Sequence, residues 1–345
     1  MTPAFPSERL FPLALANGNC PANNGAHLAF RRQFIRYLMN EQTMARCAHT
    51  EPILQQALSE VKVAAKATRG DYAGDLPEAV RNYILRAFFW AVFEVDLGQK
   101  SSSEYKAAVW SSSALNAVVK QYMLGITSAV KQPELLTLQH LIMCCPPLKD
   151  YKVDASLPEG PDKVRFVAQV MPVVFIAALQ GIPTLARALL IDKSSLSDAA
   201  GSDSAWRKGL PKGFMLPRDR EKMRLVVLET CRLNPPVPET VAVLTQRETF
   251  EISGVGKRSF PAGTPLLLSY SNTALNEKNY KNATAFDPYG HASSLWGPES
   301  IFNGFNGVGD KGDRLCPGRD LSIELLINLL EAVHSATPSS ANSFA

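Results

Sequence analysis

The chain carries no large excess of charge. Its 36 lysines and arginines against 32 aspartates and glutamates leave a net charge of +4 over 345 residues. These charges are spread along the chain with no basic block and no interleaved aromatics, so the electrostatic footprint of a nucleic-acid partner is missing. Cysteine is sparse as well. Cys20, Cys47, Cys144, Cys145, Cys231 and Cys316 lie far apart except for one adjacent pair, and a chain of this length needs no stapling, which excludes a disulfide framework. There is no C-x-x-C, and the five histidines form no H-E-x-x-H or other cluster, so a zinc site has no support. The start, MTPAFPSERLFPLALANGN, lacks a basic segment ahead of its short apolar run; residues 1–24 read as an irregular segment rather than a secretion signal. The most apolar stretch, 164–190, is interrupted by Arg165, Gln169, Gln180 and Arg187 and by Pro172 and Pro183. It is not a transmembrane anchor, and the expected location is intracellular, cytoplasmic or peripheral to a membrane.

What is present is a chain that can fold. Apolar residues make up 46% and charged residues 20%, enough for a sizeable core. The length allows two domains or one large unit; the pattern reads as a single unit over 25–335 with a disordered tail over 336–345. Helical periodicity runs over 26–40, 51–68, 76–93, 103–124 and 132–144, separated by Gly, Pro and Asn signals. The 164–190 stretch fits a helix buried in the middle of the protein and bent at its prolines. A Ser-, Gly- and Asp-rich linker over 193–211 precedes a helix over 219–233, which stops at Asn234-Pro235-Pro236. The period then changes. A strand is predicted over 249–253, a Pro-x-Gly turn follows Phe260, and a second strand spans 265–269. From 272 to 312 Asn, Gly, Pro and aromatics dominate, as in long loops that serve a site, and a last helix runs from 319 to about 333. The fold class is mostly α with a small β part.

Three groups of residues carry chemical possibilities. Cys316 sits in DRLCPGRDL just ahead of that last helix, where the positive end of the dipole and unpaired amides favour its thiolate. Pro317 fixes one backbone angle, and Gly318 lets a flat group approach the main chain. The ordinary reading of such a thiol is a loop cysteine; the functional one is a nucleophile or metal ligand. Glu229 and Arg232 stand three apart in LETCRLNPPVP and can pair on one helix face, which by itself reads as a minor surface bridge. His27 and Arg31 stand four apart on another helix, with Arg32 beside them. That is either a solvated basic face or a clamp for carboxylate or phosphate.

In this order, the pieces resemble the cytochrome P-450 superfamily of haem-thiolate enzymes from about Gly25 to Val333. His27-Leu-Ala-Phe-Arg31 resembles that family's H-x-x-x-R helix; Glu229-Thr-Cys-Arg232 followed by NPPVP is similar to its E-x-x-R helix and proline turn. FPAGTPLLLSYSNTALNEKNYKNATAFDP resembles the β hairpin and the loop behind the haem, and Arg314-Leu-Cys316-Pro-Gly318 the R-x-C-x-G cysteine loop. The resemblance implies a cytochrome P-450-like fold, here without its first helices and strands, and haem (iron protoporphyrin IX) as cofactor. It makes Cys316 the metal ligand and catalytic centre, and His27, Arg31 and Arg314 contacts of the propionates. Gly318 becomes the point of close approach, Gly312 and Phe305 cofactor-side loop residues, and Glu229 with Arg232 a structural pair. An axial thiolate favours O–O cleavage.

The chain also departs from the pattern. Gly309 stands where the cysteine loop carries Phe, with Phe305 the nearest aromatic. Gly290, in AFDPYGH, stands in the place of an arginine that braces Glu229 and Arg232, and a second propionate arginine would fall near Val243. The central helix reads Ala177-Ala-Leu-Gln-Gly181-Ile-Pro, without the acid and alcohol that deliver protons to bound dioxygen. A haem thiolate without that relay suits substrates already at the peroxide level. NPPVP, WGPES at Trp296 to Ser300 and the C-x-G-x-D run from Cys316 to Asp320 echo the allene oxide synthase and hydroperoxide lyase branch. The Gly-rich cysteine loop and Pro172 echo the fatty-acid peroxygenases, although Met171 stands where their carboxylate-binding arginine would be. The expectation is an enzyme that rearranges, cleaves or uses a lipid-like hydroperoxide without external reductant. The alternatives are a dioxygen- and NAD(P)H-reductase-dependent monooxygenase with a redox partner, and a truncated haem-binding protein without activity. The partner in the active readings is a hydrophobic small molecule. Gln180 is the polar group placed to reach a distal ligand, or a buried amide satisfied by backbone loosened near Pro183. Met171, Phe175, Ala178 and Leu179 line an apolar pocket or pack the core.

Overall fold

The computed structural model describes residues 25–50, 52–53, 55–56, 59, 76–98, 102–109, 133–156, 160–174, 181–190, 210–211, 214–236, 239–244, 246–252, 254–296 and 316–336. Along them run helices α1 (Gly25–Leu38), α2 (Glu41–Cys47), α3 (Leu76–Phe93), α4 (Pro133–Met143), α5 (Lys163–Val174), α6 (Ile182–Leu190) and α7 (Arg220–Leu233). Strands β1 (Glu239–Val243), β2 (Glu248–Ile252), β3 (Gly256–Phe260) and β4 (Pro265–Ser269) follow, then α8 (Tyr270–Ala274), α9 (Ala292–Leu295) and α10 (Arg319–Ala336).

The core forms around two helices. In α3, Tyr83, Ile84, Leu85, Phe88, Phe89 and Phe93 are all buried. A helix apolar on every side must be enclosed, and α2, α6 and α10 pack against it. The rings of Phe88, Phe89 and Phe93 meet at centroid distances of 5.3 to 6.3 Å, within the range of favourable aromatic pairs. Helix α3 ends where Glu94 turns left-handed, at φ 56°, and Arg46 of α2 donates to the Ala91 carbonyl at 2.8 Å, placing a cation at the negative end of the helix. Arg86 makes a bidentate pair with Asp96 at 2.9 and 2.8 Å, and its guanidinium holds the Asp96 carboxyl below the usual range. Helix α10 buries Leu321, Ile323, Leu325, Leu326, Leu329 and Leu330 against α2, α3, α6 and α7.

Helix α7 begins at the exposed cap Asp219, whose carboxylate accepts from the Lys222 amide at 2.9 Å. It stops at Asn234, whose amide still reaches the Thr230 carbonyl at 2.8 Å, because Pro235 disfavours helical backbone in the residue before it. Removing the cap is a local change. Asp219→Ala should cost about 1 kcal/mol in a urea unfolding midpoint, with Asp219→Asn near wild type because its amide oxygen accepts the same bond.

The β part is two nested antiparallel pairs. β1 pairs with β4 from Glu239↔Ser269 to Val243↔Pro265, and the β2–β3 hairpin, from Glu248↔Phe260 to Ile252↔Gly256, lies in the connection between them. The predicted Pro-x-Gly turn is present: Thr264 donates to the Pro261 carbonyl at 3.3 Å, with Gly263 at φ 89°, the third-position geometry that a type II turn asks of glycine. The predicted 265–269 strand matches β4, and the predicted 249–253 strand lies one residue beyond β2. β1 and β3 were not anticipated. β3 reads GKRSF with three exposed residues in its middle, so it carries no alternation to detect. The loop predicted over 272–312 is instead partly helical, containing the end of α8 and all of α9. The predicted 164–190 helix is described as α5 and α6, with 175–180 outside the described residues. No described helix is long and apolar enough to cross a membrane.

Candidate functional site

Two features converge near the amino end of α10: a buried ionic cluster on α7 and the Cys316 turn. Glu229 and Arg232 face the interior with side chains 0% exposed, not the surface as spacing alone allowed. Arg232 Nε and Nη2 donate to Glu229 Oε2 and Oε1, each at 2.7 Å. Its Nη1 donates to the carbonyls of Ala274 and Ala283, both at 2.6 Å, and Nη2 to that of Ala285 at 2.9 Å. The Tyr280 ring lies 4.7 Å from the guanidinium carbon, and burial beside the cluster pushes its phenol up to about 12. Desolvating two charges is costly unless their remaining hydrogen-bonding capacity is met. Here it is met by backbone of the 274–287 segment, which is thereby tied to α7.

The third member was missed by sequence reasoning. Gly290 stands where a bracing arginine was sought, but the next residue supplies the brace: His291, 3% exposed, places Nδ1 3.0 Å from Glu229 Oε1 and Nε2 2.7 Å from the Lys281 carbonyl. The Asp287 amide donates to the same Glu229 oxygen at 2.9 Å. Gly290 has its own reason. Its amide donates to Asp287 Oδ1 at 2.8 Å, and a Cβ on it would stand 2.1 Å from Asp287 Oδ2, so a side chain there would displace the carboxylate that closes the turn. The signal was available as a histidine one position after the expected arginine.

Cys316 occupies the turn that enters α10. The Arg319 amide donates to its carbonyl at 3.2 Å, and Ser322 donates through Nα and Oγ to the Gly318 carbonyl at 2.9 and 2.7 Å. The expectation of an acidified thiol is corrected. Burial pushes the Cys316 thiol up, and it outweighs the Gly318 amide directed at the sulfur and the lowering fields of Arg31 and Arg319; desolvation disfavours the thiolate more than these donors favour it. Cys231, fully buried one residue before Arg232, is also pushed up, first by burial and then by the field of Cys316. Among the described residues, a Cβ on Gly318 would find only Met39 Cε, at 4.0 Å.

The structure thus brings Arg31 of α1 into electrostatic range of Cys316. His27 lies in α1, but its side chain is outside the described residues, and so are Phe175, Ala178, Leu179, Gln180, Phe305, Gly312 and Arg314. Met171 is in α5 and 7% exposed, packed in the core. A separate cavity of about 590 Å³ lies between α2, α7 and α10, lined among others by Met44, Arg220, Arg224, Trp296 and Glu324. Its arginines are already engaged: Arg220 with Glu324 at 2.6 Å and with Glu331, Arg224 with Glu324 at 3.0 Å. Trp296 lies under the guanidinium groups of Arg224 and Arg319.

No protein-family model and no curated protein matches the sequence, whereas solved structures match the backbone. A mutant of P-450 EryK in complex with erythromycin B is 15% identical, with a TM-score of 0.60 over 96% of this chain and 79% of that one. One of the unusual cytochrome P-450-like monooxygenases of microbial secondary metabolism is 13% identical, with a TM-score of 0.60 over 97% and 82%. Cytochrome P-450EX alpha with myristic acid is 15% identical, with a TM-score of 0.51 over 95% and 77%. With so little sequence in common, what is shared is the path of the backbone: the chain has the cytochrome P-450 fold.

Proposed function

We propose that residues 25–335 form a haem-thiolate enzyme that rearranges, cleaves or uses a lipid-like hydroperoxide without external reductant, with Cys316 as the iron ligand. The observation that carries this reading is the surroundings of Cys316: a sulfur at the entry to α10, facing the Gly318 amide, with Arg31 and Arg319 within electrostatic reach and, among the described residues, nothing nearer than Met39 Cε to a Cβ placed on Gly318. Such a donor set fits haem: a coordinating thiol gives up its proton to the metal cation, here against the desolvation that holds it up and with Arg31 and Arg319 favouring the anion. Bound there, haem supplies an iron whose thiolate ligand favours O–O cleavage.

The chain's own residues do the rest. The Gly318 amide offers the ligating sulfur a hydrogen bond, and Gly318 lets α10 and a flat ring approach. On the family resemblance, Arg31, His27 and Arg314 would neutralise the propionates, and Gly312 and Phe305 would be the cofactor-side residues of the cysteine loop. Glu229 and Arg232 hold the backbone of the 274–287 segment against α7. By the same resemblance, Phe175, Ala178 and Leu179 would exclude water from an apolar substrate and Gln180 would offer it an amide, whereas Met171 packs in the core. No acid and alcohol stand in the 177–183 run to relay protons to dioxygen, which favours a substrate that arrives with its O–O bond made. The myristic acid named with P-450EX alpha is consistent with a fatty-acyl substrate. The monooxygenase named among the neighbours favours the second reading, dioxygen chemistry with a redox partner.

Purified chain reconstituted with haem and given an 18-carbon fatty-acid hydroperoxide without reductant should consume it, followed as loss of peroxide by iodometric titration. Turnover appearing only with NAD(P)H and a reductase would select the monooxygenase. Haem uptake with neither activity would leave a haem-binding protein and defeat the enzymatic reading.

A further inference from the structure

We propose that His291 carries a proton on both ring nitrogens and is the cationic third member of the buried Glu229–Arg232 cluster, a positioning residue that pins the 274–291 segment to α7. Both of its nitrogens face acceptors. Nδ1 is 3.0 Å from Glu229 Oε1, and Nε2 is 2.7 Å from the Lys281 carbonyl. A backbone carbonyl has no proton to give, and Glu229 Oε1 already accepts from Arg232 Nη2 and the Asp287 amide. Both Glu229 oxygens accept from the Arg232 guanidinium, which favours the ionised carboxylate, and beside it a neutral imidazole, with one N–H, would leave one of these contacts with lone pair against lone pair in a side chain 3% exposed. Such a contact is strongly disfavoured away from water. Placing the proton on Glu229 instead would have the carboxyl donate to Nδ1, and the cluster would still hold the same number of protons.

The groups facing the ring are consistent with a cation. Glu229 approaches from α7, and the Tyr280 ring packs on the imidazole at 5.5 Å and 75°. Asp287 receives the His291 amide at its backbone carbonyl, while its carboxylate is occupied by the Gly290 amide. Arg232 shares Glu229 Oε1 from the other side, so one carboxylate is flanked by two cations and the excess positive charge is spread over backbone carbonyls. Gly290 and His291 belong together. The absent Cβ at 290 lets Asp287 close the turn, and that turn delivers the next side chain inward.

The charge assignment needs no cofactor; its consequence for Cys316 rests on the haem-thiolate reading. The test begins with the full chain labelled with nitrogen-15 histidine, the His291 ring being assigned through its own backbone. At neutral pH both ring nitrogens should resonate as N–H groups. A single unprotonated ring nitrogen at His291 would overturn the proposal. His291→Arg should keep the thermal midpoint and, after haem reconstitution, the thiolate-type absorption of the reduced carbon monoxide complex. His291→Phe, similar in bulk but without donor or charge, should lose both. Equal behaviour of the two folded variants would overturn the positioning role, and if neither folds the nitrogen resonances decide alone. A wild-type chain that gives the two N–H resonances but no thiolate band would count against the haem-thiolate reading and leave the histidine assignment standing.

Discussion

Replacing Arg232 with methionine is expected to cost about 3–5 kcal/mol of stability, the range for removing one partner of a buried ion pair. The shape is nearly kept, but Glu229 remains charged in an interior where its side chain is 0% exposed, and the carbonyls of Ala274, Ala283 and Ala285 lose their donors. His291 still faces Glu229, which keeps the loss from being larger. Urea unfolding followed by circular dichroism would measure it. The double variant Glu229→Leu with Arg232→Met distinguishes charge from backbone satisfaction. Replacing a buried pair by apolar groups can be neutral, but here the three carbonyls lose their donors and the Asp287 amide and His291 lose Glu229, so the double variant should recover only part of the loss. Full recovery would mean the carbonyl contacts contribute nothing, and an Arg232→Met midpoint equal to wild type would mean the cluster does not hold this fold.

Cys316→Ser is expected to abolish the thiolate-type Soret band of the reduced, carbon monoxide-bound protein and to bring hydroperoxide consumption down to the level of free haem. The fold should survive. Cys316 contributes its backbone carbonyl to the turn, and serine keeps the backbone and nearly the shape of the side chain, so the change in stability should be about 1 kcal/mol or less. The comparison is therefore clean: spectrum and activity lost, midpoint kept. Survival of the thiolate band in the serine variant would assign iron ligation to another sulfur. Cys231, the thiol within the field of Cys316, is then the first to test, although burial holds it strongly protonated.

Several of these residues were visible before any coordinates. α3, spanning Leu76–Phe93, and β4, spanning Pro265–Ser269, stand where periodicity put them, because a long apolar run bounded by turn residues leaves few other ways to bury itself. The stop after α7 was written in Asn234-Pro235-Pro236. Strand β3 was not legible, since GKRSF gains its conformation from cross-strand bonding to β2 and its exposed middle shows no pattern. The short helices α8 and α9 were hidden by the Asn-rich composition of their segment. At the site, the Glu229–Arg232 spacing permitted an ion pair but did not say that it is buried. The thiol of Cys316 was expected to be acidic from its place before a helix, and packing around the sulfur reversed the direction.

By itself the sequence determined the helices, the turn signals and the order of the Cys, Glu-x-x-Arg and His-x-x-x-Arg motifs, because these depend on neighbours a few residues apart. Only the tertiary structure decided which charges lie in the interior, that Arg31 acts on Cys316 from the far end of the chain, and that His291 rather than residue 290 completes the buried cluster. Desolvation and hydrogen-bond satisfaction are set by groups that meet across tens to hundreds of residues, and no local pattern records them.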